Sequence, residues 1–289
     1  MACHTSGVRG GLITLPAFLR KRALMPSISE VFVPCRNENR LAFIPFLTAG
    51  DPDLDATRQA VQTLADAGVD LLEIGVPYSD PIADGPVIQA SYTRALKAGF
   101  SVPSLLDNLA GIDASVPPRL LMVSYAILHR RGPEAFCEAA SKSGVSGLIV
   151  PDLPGTDAAE LLSVAQDRGL DLVQLVAPTT PPARAARIVQ TCTGFVYCVA
   201  VAGITGERAA VAEDLDRQLA ALREVTDLPL AVGFGISSPE HVEPLRGKAD
   251  GVIVGSGIVR RLEAGGEAGL AEVGRFAREM VAACRGVGG

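Results

Sequence analysis

The chain of 289 residues lacks any run of about 18 uncharged apolar residues, the length a membrane-crossing helix needs. Its longest apolar runs are strand-sized. It also lacks a basic run long enough to track a phosphate backbone, and a net charge of −6 argues against a nucleic-acid partner. There is no C-x-x-C pair: Cys3, Cys35, Cys137, Cys192, Cys198 and Cys284 are scattered, and His4, His129 and His241 stand far apart. That spacing suits neither a zinc site nor a disulfide framework and points to a reducing, cytoplasmic setting, with the cysteines as small buried hydrophobes or inert thiols. No G-x-G-x-x-G follows the first apolar run, which argues against a dinucleotide-binding fold.

What is present divides into a short leader and one repeating body. The first 24 residues hold Arg9, Arg20, Lys21 and Arg22, no acidic residue and several glycines. They read either as a targeting peptide or as sequence upstream of a natural start at Met25, the second being the simpler reading. Either way residues 1–24 are expected to lie outside the folded domain and residues 25–289 to form it.

In the body, a helical stretch, a small residue or glycine, and a β-branched apolar run follow one another repeatedly. Ala67-Gly-Val-Asp-Leu-Leu-Glu-Ile-Gly, Ser143-Gly-Val-Ser-Gly-Leu-Ile-Val-Pro, Arg168-Gly-Leu-Asp-Leu-Val-Gln-Leu-Val and Lys248-Ala-Asp-Gly-Val-Ile-Val-Gly are the clearest cases. Glycine ends the helix, and the run after it is apolar on both faces, as buried parallel strands are. Further runs at Leu41 to Leu47, Arg119 to Tyr125, Gly194 to Ala200 and Leu228 to Phe234 bring the count to eight. Amphipathic stretches such as Leu54 to Ala67, Pro133 to Lys142, Ala158 to Asp167 and Leu270 to Cys284 separate them. Eight alternating units in about 250 residues predict a closed (β/α)8 barrel in the α/β class, with function at the carboxyl ends of the strands.

Two features there carry chemistry. Strand seven runs into Gly233-Phe-Gly-Ile-Ser-Ser and strand eight into Gly255-Ser-Gly-Ile-Val, glycine turns flanked by Ser237 and Ser256. Such turns after the last two strands are the recurrent phosphate site of this fold. Earlier, Leu71-Leu-Glu-Ile-Gly-Val sets Glu73 inside an apolar strand, on the same face as Leu71 and Gly75. No strand core carries a lysine or histidine, and Arg119 sits at a strand start away from the catalytic end. Burial without a cation should raise the pKa of Glu73 and suit it to give and accept a proton near neutral pH. Gly75, one step nearer the mouth, leaves room for a ligand. A second carboxylate, Asp80 or Asp84, is available in the proline-stiffened loop Val76-Pro-Tyr-Ser-Asp-Pro-Ile-Ala-Asp-Gly-Pro, and spacing does not choose between them.

Phe43-Ile-Pro-Phe-Leu-Thr-Ala-Gly-Asp-Pro and Leu72-Glu-Ile-Gly-Val-Pro-Tyr-Ser-Asp-Pro-Ile-Ala-Asp-Gly-Pro-Val-Ile-Gln resemble the tryptophan synthase α family. The likeness continues through Pro151-Asp-Leu-Pro, Gly203-Ile-Thr-Gly, Gly233-Phe-Gly-Ile-Ser and Gly255-Ser, over about residues 27 to 285. By that resemblance Glu73 is the acid–base glutamate, Asp84 assists at the indole nitrogen, and Asp80 belongs to a loop facing a β subunit. Tyr197 is an active-site tyrosine, and Thr205 and Gly206 belong to a mobile loop after strand six. Gly206, Gly235, Ser237, Gly255 and Ser256 hold the substrate phosphate, while Phe43 and Phe234 line the indole pocket. The implied reaction is retro-aldol cleavage of indole-3-glycerol phosphate to indole and glyceraldehyde 3-phosphate. It implies no metal and no cofactor, and a β-subunit partner in an α2β2 tetramer.

Two departures stand out. Met122-Val-Ser-Tyr-Ala-Ile replaces the family's usual tyrosine-tyrosine-asparagine-proline run, altering Ser124 and Ala126, and strand six continues as Ala200-Val-Ala-Gly where serine and polar neighbours are common. They leave Glu73, Asp84 and the phosphate glycines intact but touch the side expected to face a partner. Two alternatives follow: a free-standing indole-3-glycerol phosphate lyase serving specialised metabolism, and a non-catalytic module that only activates a β subunit.

Overall fold

The computed structural model describes residues 27–81, 84–113, 115–200, 208–233 and 235–286; residues 1–24, the expected leader, fall outside them. The described chain opens with helix α1 (Ile28–Asn37). Ser27 starts it with a reciprocal cap, its Oγ accepting from the Glu30 N–H while the Glu30 carboxylate accepts from the Ser27 N–H. The order continues β1 (Ala42–Thr48), α2 (Leu54–Asp66), β2 (Leu72–Gly75), α3 (Pro86–Lys97), α4 (Val102–Ala110), β3 (Arg119–Met122), α5 (Tyr125–Arg131), α6 (Pro133–Lys142) and β4 (Gly147–Ile149). Then come α7 (Ala158–Asp167), β5 (Asp171–Val176), α8 (Pro182–Gln190), β6 (Val196–Val199), α9 (Arg208–Arg223), β7 (Leu230–Gly233), β8 (Gly251–Val254), α10 (Ser256–Leu262) and α11 (Gly266–Arg285). Each strand pairs in parallel with its sequence neighbours and β1 closes on β8, so the expected (β/α)8 barrel is the observed fold. Among the described residues no helix is long and apolar enough to cross a membrane.

Strand alternation divides the apolar residues into two layers. Ala42, Ile44, Leu71, Leu120, Ile149, Val173, Tyr197, Ala231 and Ile253 fill the barrel, while Phe43, Leu47, Leu72, Ile74, Leu121 and Val232 pack outward against the helices. Helix α1 plugs the amino-terminal end: its Ile28, Phe32 and Cys35 are fully buried within the inner layer. Burying Ile28 and Phe32 contributes roughly 1.5–3 kcal/mol each. That floor leaves the carboxyl end as the open one.

The strand at Arg119 ends at Met122 and not, as its apolar run predicts, at Tyr125. Ser124 takes the N-cap position, its Oγ accepting from the Ala126 N–H, and the chain turns into α5. Arg119 is buried at the start of β3 on the outward face, where its Nη2 donates to the Gly144 carbonyl at 3.0 Å. Cys35, Cys137, Cys192, Cys198 and Cys284 are all buried and unpaired. Burial pushes the Cys137 thiol up to about 11 and the Cys198 thiol up to about 12, which makes them inert at neutral pH.

Candidate active site

At the carboxyl end of the strands lies a cavity of about 350 Å³, walled by Phe46, Met122, Leu175, Ile236 and Ile253 and reached by a few polar groups. Glu73 faces it from the middle of β2. Register places Glu73 between Phe46 of β1 and Leu120 of β3, and the carboxyl is fully buried. Neither Oε1 nor Oε2 has a hydrogen-bond partner among the described residues. Burial, reinforced by the charge of Asp84, pushes its pKa up to about 8. The expected direction of shift therefore has the expected main cause.

Asp84 lines the same cavity, from the loop that leads into α3. Gln89 on α3 holds that loop, its Nε2 donating to the carbonyls of Asp84 at 2.7 Å and Pro81 at 3.1 Å. The Tyr78 hydroxyl lies 3.5 Å from Asp84 Oδ2, a long hydrogen bond that opposes burial's upward push on the Asp84 carboxyl. Of the two aspartates that spacing left open, the geometry brings Asp84 to Glu73, while Asp80 is exposed and outside the cavity.

The space beside Glu73 is shaped by two missing Cβ atoms. A Cβ on Gly75 would overlap the Phe46 ring and come within 2.7 Å of the Tyr92 hydroxyl. One on Gly233 would overlap the ring and hydroxyl of Tyr197. The room expected at Gly75 is thus occupied by two aromatic side chains, not left open for a ligand. Tyr197 faces the cavity from β6, and burial with the nearby charge of Glu73 holds its hydroxyl protonated, well above the usual phenol range.

Gly235, Ser237, Gly255 and Ser256 all line this cavity, at the ends of the neighbouring strands β7 and β8. Gly235 adopts φ +77°, the left-handed region that turns the chain there, and the Ser237 N–H donates to His241 Nδ1 at 3.2 Å. The glycine turns and the carboxylates read separately from the sequence therefore share one space.

Phe43 does not. Strand alternation sends it outward, fully buried against the helix layer, and Phe46, three residues on, faces the cavity instead. Thr205, Gly206 and Phe234 lie outside the described residues, as does the altered Val201-Ala-Gly continuation of strand six. The altered third strand is described: Ser124 Oγ and the Tyr125 N–H both donate to Asp152 at 2.7 Å, and the Tyr125 hydroxyl donates to Asp157 at 2.6 Å. Those bonds tie the loops after β3 and β4 together within the chain.

Sequence reasoning missed Tyr78 and Tyr92 as wall residues. Both come from outside the strands, with ring centroids 5.6 Å apart, and no strand periodicity marks them. A second cavity of about 410 Å³ lies at the opposite, amino-terminal end among Arg36, Arg40, Arg223 and Arg246. Those guanidiniums are bonded to Asp250, Asp70, Glu38, Glu243 and main-chain carbonyls, as parts of the barrel floor. Among the described residues no group of His, Cys, Asp and Glu is arranged to hold a metal ion.

The chain is similar to known proteins in sequence and in fold. The family model described as tryptophan synthase alpha chain matches residues 32–285. A tryptophan synthase alpha chain from Rhodopirellula baltica is 47% identical over 242 residues, 82% of this chain and 87% of that relative. One from Thermosynechococcus vestitus is 44% identical over 259 residues, covering 89% and 97%. Among solved structures, a Mycobacterium tuberculosis tryptophan synthase chain superposes with a TM-score of 0.82 at 35% identity, covering 90% of this chain and 99% of that one. The tryptophan synthase A-subunit of Pyrococcus furiosus does so with a TM-score of 0.77 at 36% identity, covering 84% and 98%. The chain belongs to the tryptophan synthase alpha chain family, the lyase of tryptophan biosynthesis that cleaves indole-3-glycerol phosphate.

Proposed function

We propose that indole-3-glycerol phosphate binds with its phosphate on the turns of Gly235, Ser237, Gly255 and Ser256 and its indole between Phe46 and the apolar wall. Glu73 is then the acid–base residue and Asp84 the partner of the indole N–H. The observation that carries this reading is a buried carboxyl without a hydrogen-bond partner among the described residues, facing a cavity shared with a second carboxylate and two glycine turns. With a pKa near 8 the Glu73 carboxyl is protonated at neutral pH and can deliver its proton to indole C3. The positive charge that develops at N1 is met by the Asp84 carboxylate. Glu73, now ionised, takes the proton of the carbinol hydroxyl. The C3–C1′ bond breaks, its electron pair restores the indole ring, and the carbinol carbon leaves as the aldehyde of glyceraldehyde 3-phosphate. Protons balance, and Glu73 ends as it began.

By resemblance, Thr205 and Gly206 belong to the loop that closes over the substrate, Gly206 also reaching the phosphate, and Phe234 to the indole wall. The partner proposed is a tryptophan synthase β subunit in an α2β2 assembly in the cytoplasm, with Asp80 on the loop facing it. The bonds tying Ser124 and Tyr125 to Asp152 and Asp157 favour a second reading, a lyase whose mouth is ordered without a partner. An indole-release assay with and without β subunit separates these. Stimulation by β supports the partnered enzyme, and equal turnover supports the free-standing lyase. Absence of indole in both arms refutes catalysis and leaves only a β-activating module.

A further inference from the structure

Tyr92 is a cavity residue that the acid–base mechanism does not use. It stands on α3 one turn after Ile88, and the two side chains reach different parts of the mouth. Ile88 lies against Gly255, in the phosphate turn: a Cβ built there would be 3.3 Å from Ile88 Cδ1. Tyr92 lays its hydroxyl over Gly75, 2.7 Å from where a Cβ would stand. Gly75 is two residues beyond Glu73 on the same inward face, roughly 7 Å further toward the mouth. The helix thus spans the interval between the acid–base carboxyl and the phosphate turn, and Tyr92 sits at its carboxyl-side end.

The ring itself is buried, with 1% exposure, packed among Phe46, Val259 and Tyr78. For that packing a phenylalanine would serve as well, because it presents the same ring to these neighbours. Among the described residues the Tyr92 hydroxyl has no hydrogen-bond partner, yet it belongs to the cavity wall. Burial first, and then the charges of Asp84 and Glu73, hold it protonated well above the usual phenol range, so it has a proton to donate. A donor held between the carboxyl and the phosphate turn meets the part of the substrate that joins them, the hydroxylated three-carbon chain.

We propose that Tyr92 is a specificity-determining residue whose hydroxyl donates a hydrogen bond to the glycerol hydroxyls of the substrate, selecting a polyol phosphate side chain over an alkyl one. This rests on the reading of the cavity as the indole-3-glycerol phosphate site. Its test pairs removal of the hydroxyl on the protein with removal on the ligand. Wild type and Tyr92→Phe are compared for kcat/KM on indole-3-glycerol phosphate and for inhibition by indole-3-propanol phosphate, which keeps ring and phosphate and lacks both hydroxyls. Thermal unfolding of both proteins checks that the ring still packs. The expected result is a loss of about tenfold in kcat/KM with Tyr92→Phe, the worth of one buried hydrogen bond, and inhibition by the alkyl analogue unchanged within about twofold. Equal losses on both ligands, or none on either, overturn the assignment. If wild type itself releases no indole, the reading of the site fails. If wild type is active and Tyr92→Phe matches it, only the role of Tyr92 fails.

Discussion

Replacing Glu73 by glutamine should remove activity and stabilise the protein, the second effect growing with pH. The carboxyl is fully buried, its two oxygens have no hydrogen-bond partner among the described residues, and its pKa is raised from 4.5 to about 8, first by burial and then by the charge of Asp84. Below pH 4.5 the group is protonated in both folded and unfolded chains and contributes nothing. Between 4.5 and 8 the unfolded chain has released the proton and the folded chain has not, so stability falls as pH rises. Above about 8 the folded group ionises too and the penalty stops growing. At ~1.36 kcal/mol per pH unit the full penalty is ~4–5 kcal/mol, a ceiling because water in the adjoining cavity lowers it. Glutamine has the same shape and no charge. The Glu73→Gln variant should therefore match wild type near pH 5 and exceed it at pH 9, by an unfolding temperature on the order of 10 °C. Unfolding followed by circular dichroism from pH 5 to 9, beside an indole-release assay, tests both halves. A difference that stays flat across that range would refute the burial argument. Undiminished indole release, against an expected loss of at least ~100-fold, would refute the acid–base role.

Two further outcomes follow from packing. Gly75→Ala places a methyl group on the Phe46 ring and the Tyr92 hydroxyl, so it should cost about 1–3 kcal/mol in urea denaturation and lower kcat/KM by crowding the cavity; unchanged values would mean those side chains move aside freely. Arg119 is buried with Nε and Nη1 unpartnered among the described residues, and burial alone pulls its pKa down to about 10. Arg119→Met should raise stability by about 1 kcal/mol or more without changing activity, since the side chain lies at the amino-terminal end of β3. A clear loss in urea denaturation would mean the guanidinium holds a partner worth more than its burial costs.

The two-faced apolar runs and the glycines before them made the barrel legible, because a parallel strand buried on both sides has a local signature. Glu73 was legible for the same reason, as one carboxyl in an apolar run with no lysine or histidine in any strand core. The glycine turns after strands seven and eight announced themselves as paired motifs, and the structure brings both into the carboxylate cavity. Misplacements came where a side chain's direction depends on the third dimension. Phe43 and Phe46 sit in one apolar strand, both buried, and only barrel closure decides that the second faces the cavity. Gly75 announces missing volume, but which atoms fill it depends on a helix more than ten residues later. The short apolar run at Arg119 overreached because a serine cap outweighs β propensity once a helix follows.

By itself the sequence determined the repeat, the closed α/β architecture, the carboxyl of Glu73 in the middle of an apolar strand and the family to which its motifs belong. All of these are written in local patterns of polarity and glycine. The tertiary structure decided that α1 plugs one end, that Asp84 and not Asp80 meets Glu73, and that Tyr92 reaches the same space. Those outcomes turn on which faces meet when eight strands close, a packing question that no single segment contains.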